Sequence, residues 1–390
     1  MKVFVIAGEP SGDRLGGALM GGLKVVQSDL TFEGVGGPEM TAAGLQSRFE
    51  MSELSVMGIA EVLPRYRQLK VRIAETASAI LDAVPNVVVT IDSPDFCLRV
   101  LKQVRSKAPT IRTVHYVAPS VWAWRPHRAE KMAPLVDQVL TLLPFEPPYM
   151  EAAGMRADFV GHPVVAEPQA SADDIRGFRE RHELGDAPLV LVLPGSRRGE
   201  VGRLAPIFGD ALRPVLTAHP DARVIIVAAE PVAGLVTEMA RHWPGAPVVV
   251  DPRNQRLEVA ASEKRAAFKA ANIALAASGT VSLELAAAGT PMVIAYDMAW
   301  ISRQIIKHML RIDTVTLVNL VSETRVVPEF LGADCKPEAI GGALVALLSE
   351  PEGQAEALRT TMERLGRGGE APGLRAARAV LDGLAQPSRV

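Results

Sequence analysis

Leu189-Val190-Leu191-Val192-Leu193-Pro194-Gly195-Ser196-Arg197-Arg198-Gly199-Glu200 passes from an unbroken apolar run, through a glycine turn, into a helix-forming segment. The run shows no polar alternation, as a strand covered on both faces requires. Outward from it the same unit recurs. Short β-branched runs predict strands at Lys2–Ala7, Asn86–Ile91, Ile111–Val117, Gln138–Leu142, Arg223–Ala228, Pro247–Val250, Asn272–Ala276 and Pro291–Ala295, besides Leu189–Leu193 itself. Amphipathic stretches separate most of them, which reads as repeated βα units in parallel sheets. No fixed-period repeat of the solenoid or propeller kind is present.

The pattern breaks between Gly161-His162-Pro163 and Asp173, where Val164–Ala172 has Pro168, small residues and no periodicity. Each half then restarts with strand, glycine-containing loop and helix. The expected fold class is therefore α/β, two doubly wound Rossmann-like domains facing a central cleft. Their expected limits are 1–165 and 166–355, with 356–390 forming C-terminal helices. Those helices either pack on their own domain, cross back to the first, or swap between subunits. Ligands in such sheets bind outside the carboxyl ends of the strands, so the loops that follow strands carry the chemistry.

Composition excludes several classes. The 390 residues hold 42 Lys+Arg and 44 Asp+Glu, a net charge of −2, which argues against a surface built throughout for nucleic acid. Hydrophobic residues make up 48% and charged residues 22%, enough for ordinary buried cores. The two cysteines, Cys97 and Cys335, rule out a disulfide framework and fit a reducing compartment. The apolar run Val3–Ala7 is too short for a signal-peptide core. The best membrane-spanning candidate, Ala270–Tyr296, is broken by Asn272, Ser278, Gly279, Thr280, Gly289 and Pro291. A soluble chain is expected. Charge is nonetheless uneven: Arg65 to Lys131 carries an excess of cations, either a solvated face or a surface for anionic lipid or a phosphorylated ligand.

Five loops attract chemical interest. Gly8-Glu9-Pro10-Ser11-Gly12-Asp13 follows the first strand and precedes a helix expected near Arg14. Its two acids would repel a pyrophosphate and suit hydroxyls better, unless Asp13 serves only as a helix cap. Ile91-Asp92-Ser93-Pro94-Asp95-Phe96 offers two carboxylates at a strand end. Asp95 reads as an N-cap, whereas Asp92, on the strand side of Pro94, is the better general base. His115 to Arg125 places Trp122 and Trp124 beside a histidine and an arginine, as core or as a wall for a sugar face or acyl chain. In the second half Gly195, Ser196 and Arg197 suit a phosphate. Ser278-Gly279-Thr280 feeds a helix N-terminus, a ready anion site, and Glu284 one turn on can accept from ribose hydroxyls or cap its own helix. There is no Walker A segment, HExxH, zinc-type Cys/His cluster or GxSxG elbow, so no metal is expected.

Together these loops resemble the lipid-A-disaccharide synthase family, inverting glycosyltransferases of GT-B type. The carrying segments are Ala7–Asp13, Val56–Val62, Ile91–Phe96, His115–Arg125, Leu143–Glu146, Phe159–Pro163, Leu193–Arg197 and Ala277–Thr280 with Glu284. In this order and spacing they are specific over essentially the full chain, with small departures at Pro10, Arg14 and Val318. The resemblance implies that UDP-2,3-diacylglucosamine donates its sugar to 2,3-diacylglucosamine 1-phosphate (lipid X), giving a β-1,6-linked disaccharide 1-phosphate and UDP. It implies Asp92 as the base for the acceptor 6-hydroxyl, and Ser196, Arg197, Ser278, Gly279 and Thr280 as the groups that meet the UDP charge. Glu284 would hold the ribose, and Glu9, Ser11 and Asn319 would line the sugar site. No cofactor, metal or nucleic acid is implied; a homodimer stays open. The family is peripheral on the inner face of the cytoplasmic membrane of Gram-negative bacteria. The segment Met57–Arg72 fits that role, with Ile59, Val62, Leu63 and Leu69 beside Arg65, Arg67, Lys70 and Arg72, the makeup of an interfacial helix. Rival readings are another sugar-nucleotide enzyme on the same architecture, such as a UDP-sugar 2-epimerase, or a non-catalytic binder.

Overall fold

The computed structural model describes residues 1–54, 59–298 and 312–385, with the backbone alone over 59–66. The described chain forms two compact units, Met1–Ala166 joined by the segment from Gly368 onward, and Glu167–Arg367. Each is an α/β unit built on one parallel six-stranded sheet.

The first unit runs β1 (Lys2–Ala7), α1 (Pro10–Val26), β2 (Thr31–Val35), α2 (Pro38–Ala42), α3 (Ile59–Ala83), β3 (Val87–Ile91), α4 (Pro94–Lys107), β4 (Arg112–Tyr116), α5 (His127–Met132), β5 (Gln138–Thr141), α6 (Pro147–Ala152) and β6 (Arg156–Phe159). Its strand order is β2-β1-β3-β4-β5-β6. The second unit runs α7 (Ala172–Arg181), β7 (Leu189–Leu193), α8 (Arg198–Ala218), β8 (Arg223–Val227), α9 (Ala233–Ala240), β9 (Val248–Val250), α10 (Leu257–Ala270), β10 (Ile273–Ala277), α11 (Val281–Ala288) and β11 (Met292–Tyr296). It is completed by α12 (Leu317–Ser322), β12 (Glu329–Leu331), α13 (Pro337–Ser349) and α14 (Ala355–Arg364). Its strand order is β12-β11-β10-β7-β8-β9.

Every residue of β3, β4, β5, β7 and β10 is buried; for β7 this is what the unalternating run Leu189–Leu193 predicts of a strand covered by helices on both faces. The three strands the pattern did not announce, β2, β6 and β12, all lie at sheet edges. There one side is open, and Thr31-Phe-Glu-Gly-Val35 or Arg156-Ala-Asp-Phe159 can carry charge.

The last described helix, α15 (Pro372–Leu384), belongs to the first unit and packs on α1. Glycine sets the approach: a Cβ on Gly22 would sit 2.4 Å from the Gly373 carbonyl oxygen, and one on Gly373 would sit 2.5 Å from that of Ala18. Ala376, Ala377 and Val380 join Leu15, Leu19, Met20 and Leu23 in one buried cluster. Two polar latches finish the contact. Gln138 Nε2 donates to the Ala379 carbonyl at 2.8 Å, and Arg375 donates to that of Phe159 at 2.9 Å.

Candidate active site

In each sheet the strand order reverses once, and a crevice opens there beyond the carboxyl ends. In the first unit the reversal lies between β1 and β3, paired with Ala7 opposite Ile91. The loops leaving these two strands are the ones singled out above. They touch: a Cβ on Gly8 would lie 2.5 Å from Ser93 Oγ, so any larger residue there has to displace that side chain. Asp92 and Ser93 both adopt left-handed backbone, φ 50° and 43°. Aspartate tolerates that region better than most residues. The Asp92 N–H donates to the Tyr116 carbonyl at 2.9 Å, which fixes the turn against β4. Its half-buried carboxylate reaches Cys97 electrostatically; burial chiefly, and then the Asp92 charge, pushes that thiol up. Asp95 is exposed in the first turn of α4, where Ser93 rather than Asp95 holds the N-cap position.

The first loop differs from expectation. α1 starts at Pro10, not near Arg14, because proline is preorganised for a first helical turn. Asp13 is only 2% exposed, and its carboxylate accepts from the N–H groups of Gly37, Glu39 and Met40 at 2.8, 2.9 and 3.0 Å. It caps the short helix α2. Half-buried Glu9 and exposed Ser11 are the residues of this loop nearer to solvent.

Beyond β4, Val117 and Arg125 have φ of 85° and 51°. For a β-branched valine that is genuine strain. Together with Asp92 and Ser93 they make half of the eight left-handed non-glycine residues described, and such strain concentrates at functional sites. The Trp122 indole N–H donates to Glu146 Oε1 at 3.2 Å and its ring meets Phe145 edge-on at 5.1 Å. The Arg125 guanidinium lies 4.2 Å from the Trp124 ring centroid. Buried His115 shares a 2.8 Å hydrogen bond between Nδ1 and Thr90 Oγ1, and burial lowers its pKa to about 4.

In the second unit the reversal falls between β7 and β10, where Leu193 is opposite Ala276. The two loops expected to take phosphate leave from these two strands. Gly195, φ 112°, has the Glu200 carboxylate against its backbone, and the Ser196 N–H donates to Glu200 Oε2 at 2.9 Å. Ser196 and Arg197 are exposed at the start of α8. Ser278, Gly279 and Thr280 lead into α11, with Thr280 at the N-cap and Ser282 Oγ donating to the Gly279 carbonyl at 2.9 Å. Glu284 forms a 2.5 Å ion pair with Lys264 of α10.

Sequence reasoning missed Tyr296, Lys264 and Arg203. The phenol of Tyr296, at the end of β11, is raised by burial first and the Glu200 charge second, opposed by Arg197 and Arg203. A tyrosine ending the strand paired with β10 was the available signal. Asn319 is 1% exposed, and its amide is spent within the unit. It accepts from the Val327 N–H at 3.1 Å and donates to the Val327 carbonyl at 2.9 Å and to Thr314 at 3.3 Å. These bonds pin the turn before β12.

Of the interfacial residues, the side chains of Ile59, Val62, Leu63 and Arg65 lie outside the described residues, and Arg67 is exposed. Leu69 packs on the core, and Arg72 is bound to Glu53 and Glu75, so neither faces outward freely. Among the described residues no helix is long and apolar enough to cross a membrane, and no group of three or more His, Cys, Asp or Glu is placed to hold a metal ion.

A family model described as lipid-A-disaccharide synthetase matches residues 3–369. The chain is 64% identical over 384 residues to the lipid-A-disaccharide synthase of Ruegeria pomeroyi, covering 98% of this chain and 96% of that one. It is 45% identical over 387 residues to that of Rhodospirillum centenum, covering 98% and 94%. Among solved structures, the UDP-GlcNAc 2-epimerase from Neisseria meningitidis bound to UDP-GlcNAc matches with a TM-score of 0.62 at 12% identity, covering 99% of this chain and 100% of that one. The UDP-GlcNAc 2-epimerase from Methanocaldococcus jannaschii matches at 0.57 and 14%, with the same coverage. At such identities the likeness is one of fold alone.

Proposed function

The chain belongs to the lipid-A-disaccharide synthase family, and from that premise we propose how its residues divide the reaction. As a member it is a glycosyltransferase of lipid A biosynthesis. It condenses UDP-2,3-diacylglucosamine with 2,3-diacylglucosamine 1-phosphate, with inversion, to give the β-1,6-linked disaccharide 1-phosphate and UDP.

In our reading the first unit handles the acceptor. Asp92 takes the proton of the acceptor 6-hydroxyl as oxocarbenium character develops at the donor's anomeric carbon, since a hydroxyl is too weak an acid to ionise earlier. Glu9 and Ser11, in the loop touching Asp92's own, bind sugar hydroxyls. The second unit handles the nucleotide. Arg197 offers a forked donor to the pyrophosphate, Ser196 a hydroxyl, and residues Ser278 to Thr280 the N–H groups of a helix start, so the departing UDP is met by fixed positive ends. Glu284 accepts from the ribose, with Lys264 holding its carboxylate in place. Asn319 supports the turn before β12. The helix α3, with exposed Arg67, rests on an anionic membrane surface, the inner face of the cytoplasmic membrane in a Gram-negative cell.

The observation that carries this reading is positional. The residues proposed as base and as phosphate donors leave from β3 and from β7 and β10, the strands that bound the two reversals of strand order. UDP release from UDP-2,3-diacylglucosamine, measured in detergent micelles with and without 2,3-diacylglucosamine 1-phosphate, tests it. Release that requires the acceptor is expected. Release that ignores the acceptor would favour hydrolysis or an epimerase-like reaction and sink the assignment.

A further inference from the structure

Glu146 is a deeply buried carboxylate that the reaction above leaves unused. It is 4% exposed, and among the described residues no arginine or lysine pairs with it. Its partners are N–H groups only. Leu142 and Leu143, just past β5, donate to Oε2 at 3.1 and 3.0 Å, and the Trp122 indole, in the loop past β4, donates to Oε1 at 3.2 Å. One side chain thus braces two neighbouring loops at the carboxyl edge of the sheet. Burying a carboxylate without a counter-charge is costly, and here it raises the pKa to about 7, so the arrangement is not explained by stability alone.

What the brace holds is informative. The loop 117–125 is bounded by two left-handed residues, Val117 and Arg125, and such strain persists only where the surroundings over-determine it. Trp122 sits within that loop, half-buried, its N–H edge tied to Glu146 and its ring set edge-on against Phe145 at an interplanar angle of 83°. The loop is joined to Asp92's turn through the Asp92 N–H bond to Tyr116. A rigid indole in the loop after β4, the strand paired with the one that carries the candidate base, suits an amphiphile, with an apolar face for ring carbons or acyl methylenes.

We infer that Glu146 is a positioning residue for the acceptor: it fixes Trp122 as a wall against the acylated sugar that Asp92 deprotonates. This rests on the placement of the acceptor in the first unit.

Glutamine at 146 has one acceptor oxygen and so loses either the backbone pair or the indole, while Trp122→Phe keeps an aromatic ring but deletes the indole donor together with part of the ring surface. Steady-state kinetics of Glu146→Gln, Trp122→Phe and the double variant, each with its melting temperature, test the inference. Each single variant is expected to raise the acceptor KM about tenfold, with the donor KM and kcat within about twofold. The double variant is expected to match the worse single one, because the two groups act as a unit. An unchanged acceptor KM in Trp122→Phe would overturn the inference. So would equal losses with both substrates, or effects that multiply in the double variant. If wild-type UDP release does not depend on the acceptor, the functional reading falls and this inference with it. If it does and the variants leave the acceptor KM alone, only Glu146 is reassigned.

Discussion

Replacing Asp92 by Asn and, separately, by Ala distinguishes the charge of this residue from its backbone. Asp92 sits at φ 50°, and its N–H is bonded to the Tyr116 carbonyl. Asn visits left-handed backbone about as readily as Asp, whereas Ala there costs about 1 kcal/mol. In a domain of this size that cost lowers the melting temperature by about 2–4 °C. A general base is worth about 10²–10⁴ in rate, or roughly 3–5 kcal/mol of barrier. Asp92→Asn is therefore expected to cut kcat at least about 100-fold with little change in melting temperature. UDP affinity by titration calorimetry should stay within about twofold, since Arg197 and the helix starts are untouched. Asp92→Ala is expected to lose the same activity and to melt lower. Acceptor-dependent UDP release at saturation of both substrates is the assay. An Asn variant turning over within about threefold of wild type would refute the assignment, because no base could lose its charge so cheaply.

Arg197 is exposed, so Arg197→Met should leave melting unchanged and weaken UDP binding by about 1.5–3 kcal/mol, read by calorimetry. Equal affinity would move the pyrophosphate elsewhere. His115 is held neutral in the fold with a pKa of about 4, against 6.5 unperturbed, so the native state binds fewer protons between these values. Its contribution to stability is then intact above pH 6.5 and is lost as pH falls towards 4, about 2 kcal/mol of it by pH 5. His115→Asn should flatten denaturant-measured stability between pH 7 and 5 by about that much; an unchanged slope would assign the acid sensitivity to other groups. Gly22→Ala places a methyl 2.4 Å from the Gly373 carbonyl oxygen. It should cost about 1–3 kcal/mol and raise hydrogen exchange in 372–384 before any other segment; unaltered exchange there would show that the two helices can spread without penalty.

How much of this was legible in the sequence follows from what each residue is bonded to. Central strands such as Leu189–Leu193 announce themselves because both faces are covered. The edge strand Arg156–Phe159 does not, being held in place by its neighbour and by the tail helix rather than by its own composition. The strand-end loops were legible because glycine, acid and hydroxyl after an apolar run have few other uses. Which acid of a pair stays available was not. Asp13 and Asp92 both follow strands, and only the tertiary placement of α2 shows that Asp13 is consumed as its cap. Asn319 is the same case: a polar residue whose partners, Val327 and Thr314, come from its own turn and could not be read from composition. Glu146 was visible only as part of a motif, because the indole it holds lies in another loop.

The return of α15 to the first unit also bears on how the protein is made. The second unit is one continuous stretch, Glu167–Arg367, inserted between the parts of the first. On the ribosome, at roughly 5–20 residues per second, synthesis of that insert occupies roughly 10–40 s. For that interval the seam formed by Leu19, Met20 and Leu23 lacks the helix that seals it, since Ala376, Ala377 and Val380 have not yet been synthesised. The order of folding is expected to invert the order of translation. The nascent amino-terminal unit waits with this apolar seam open until α15 emerges.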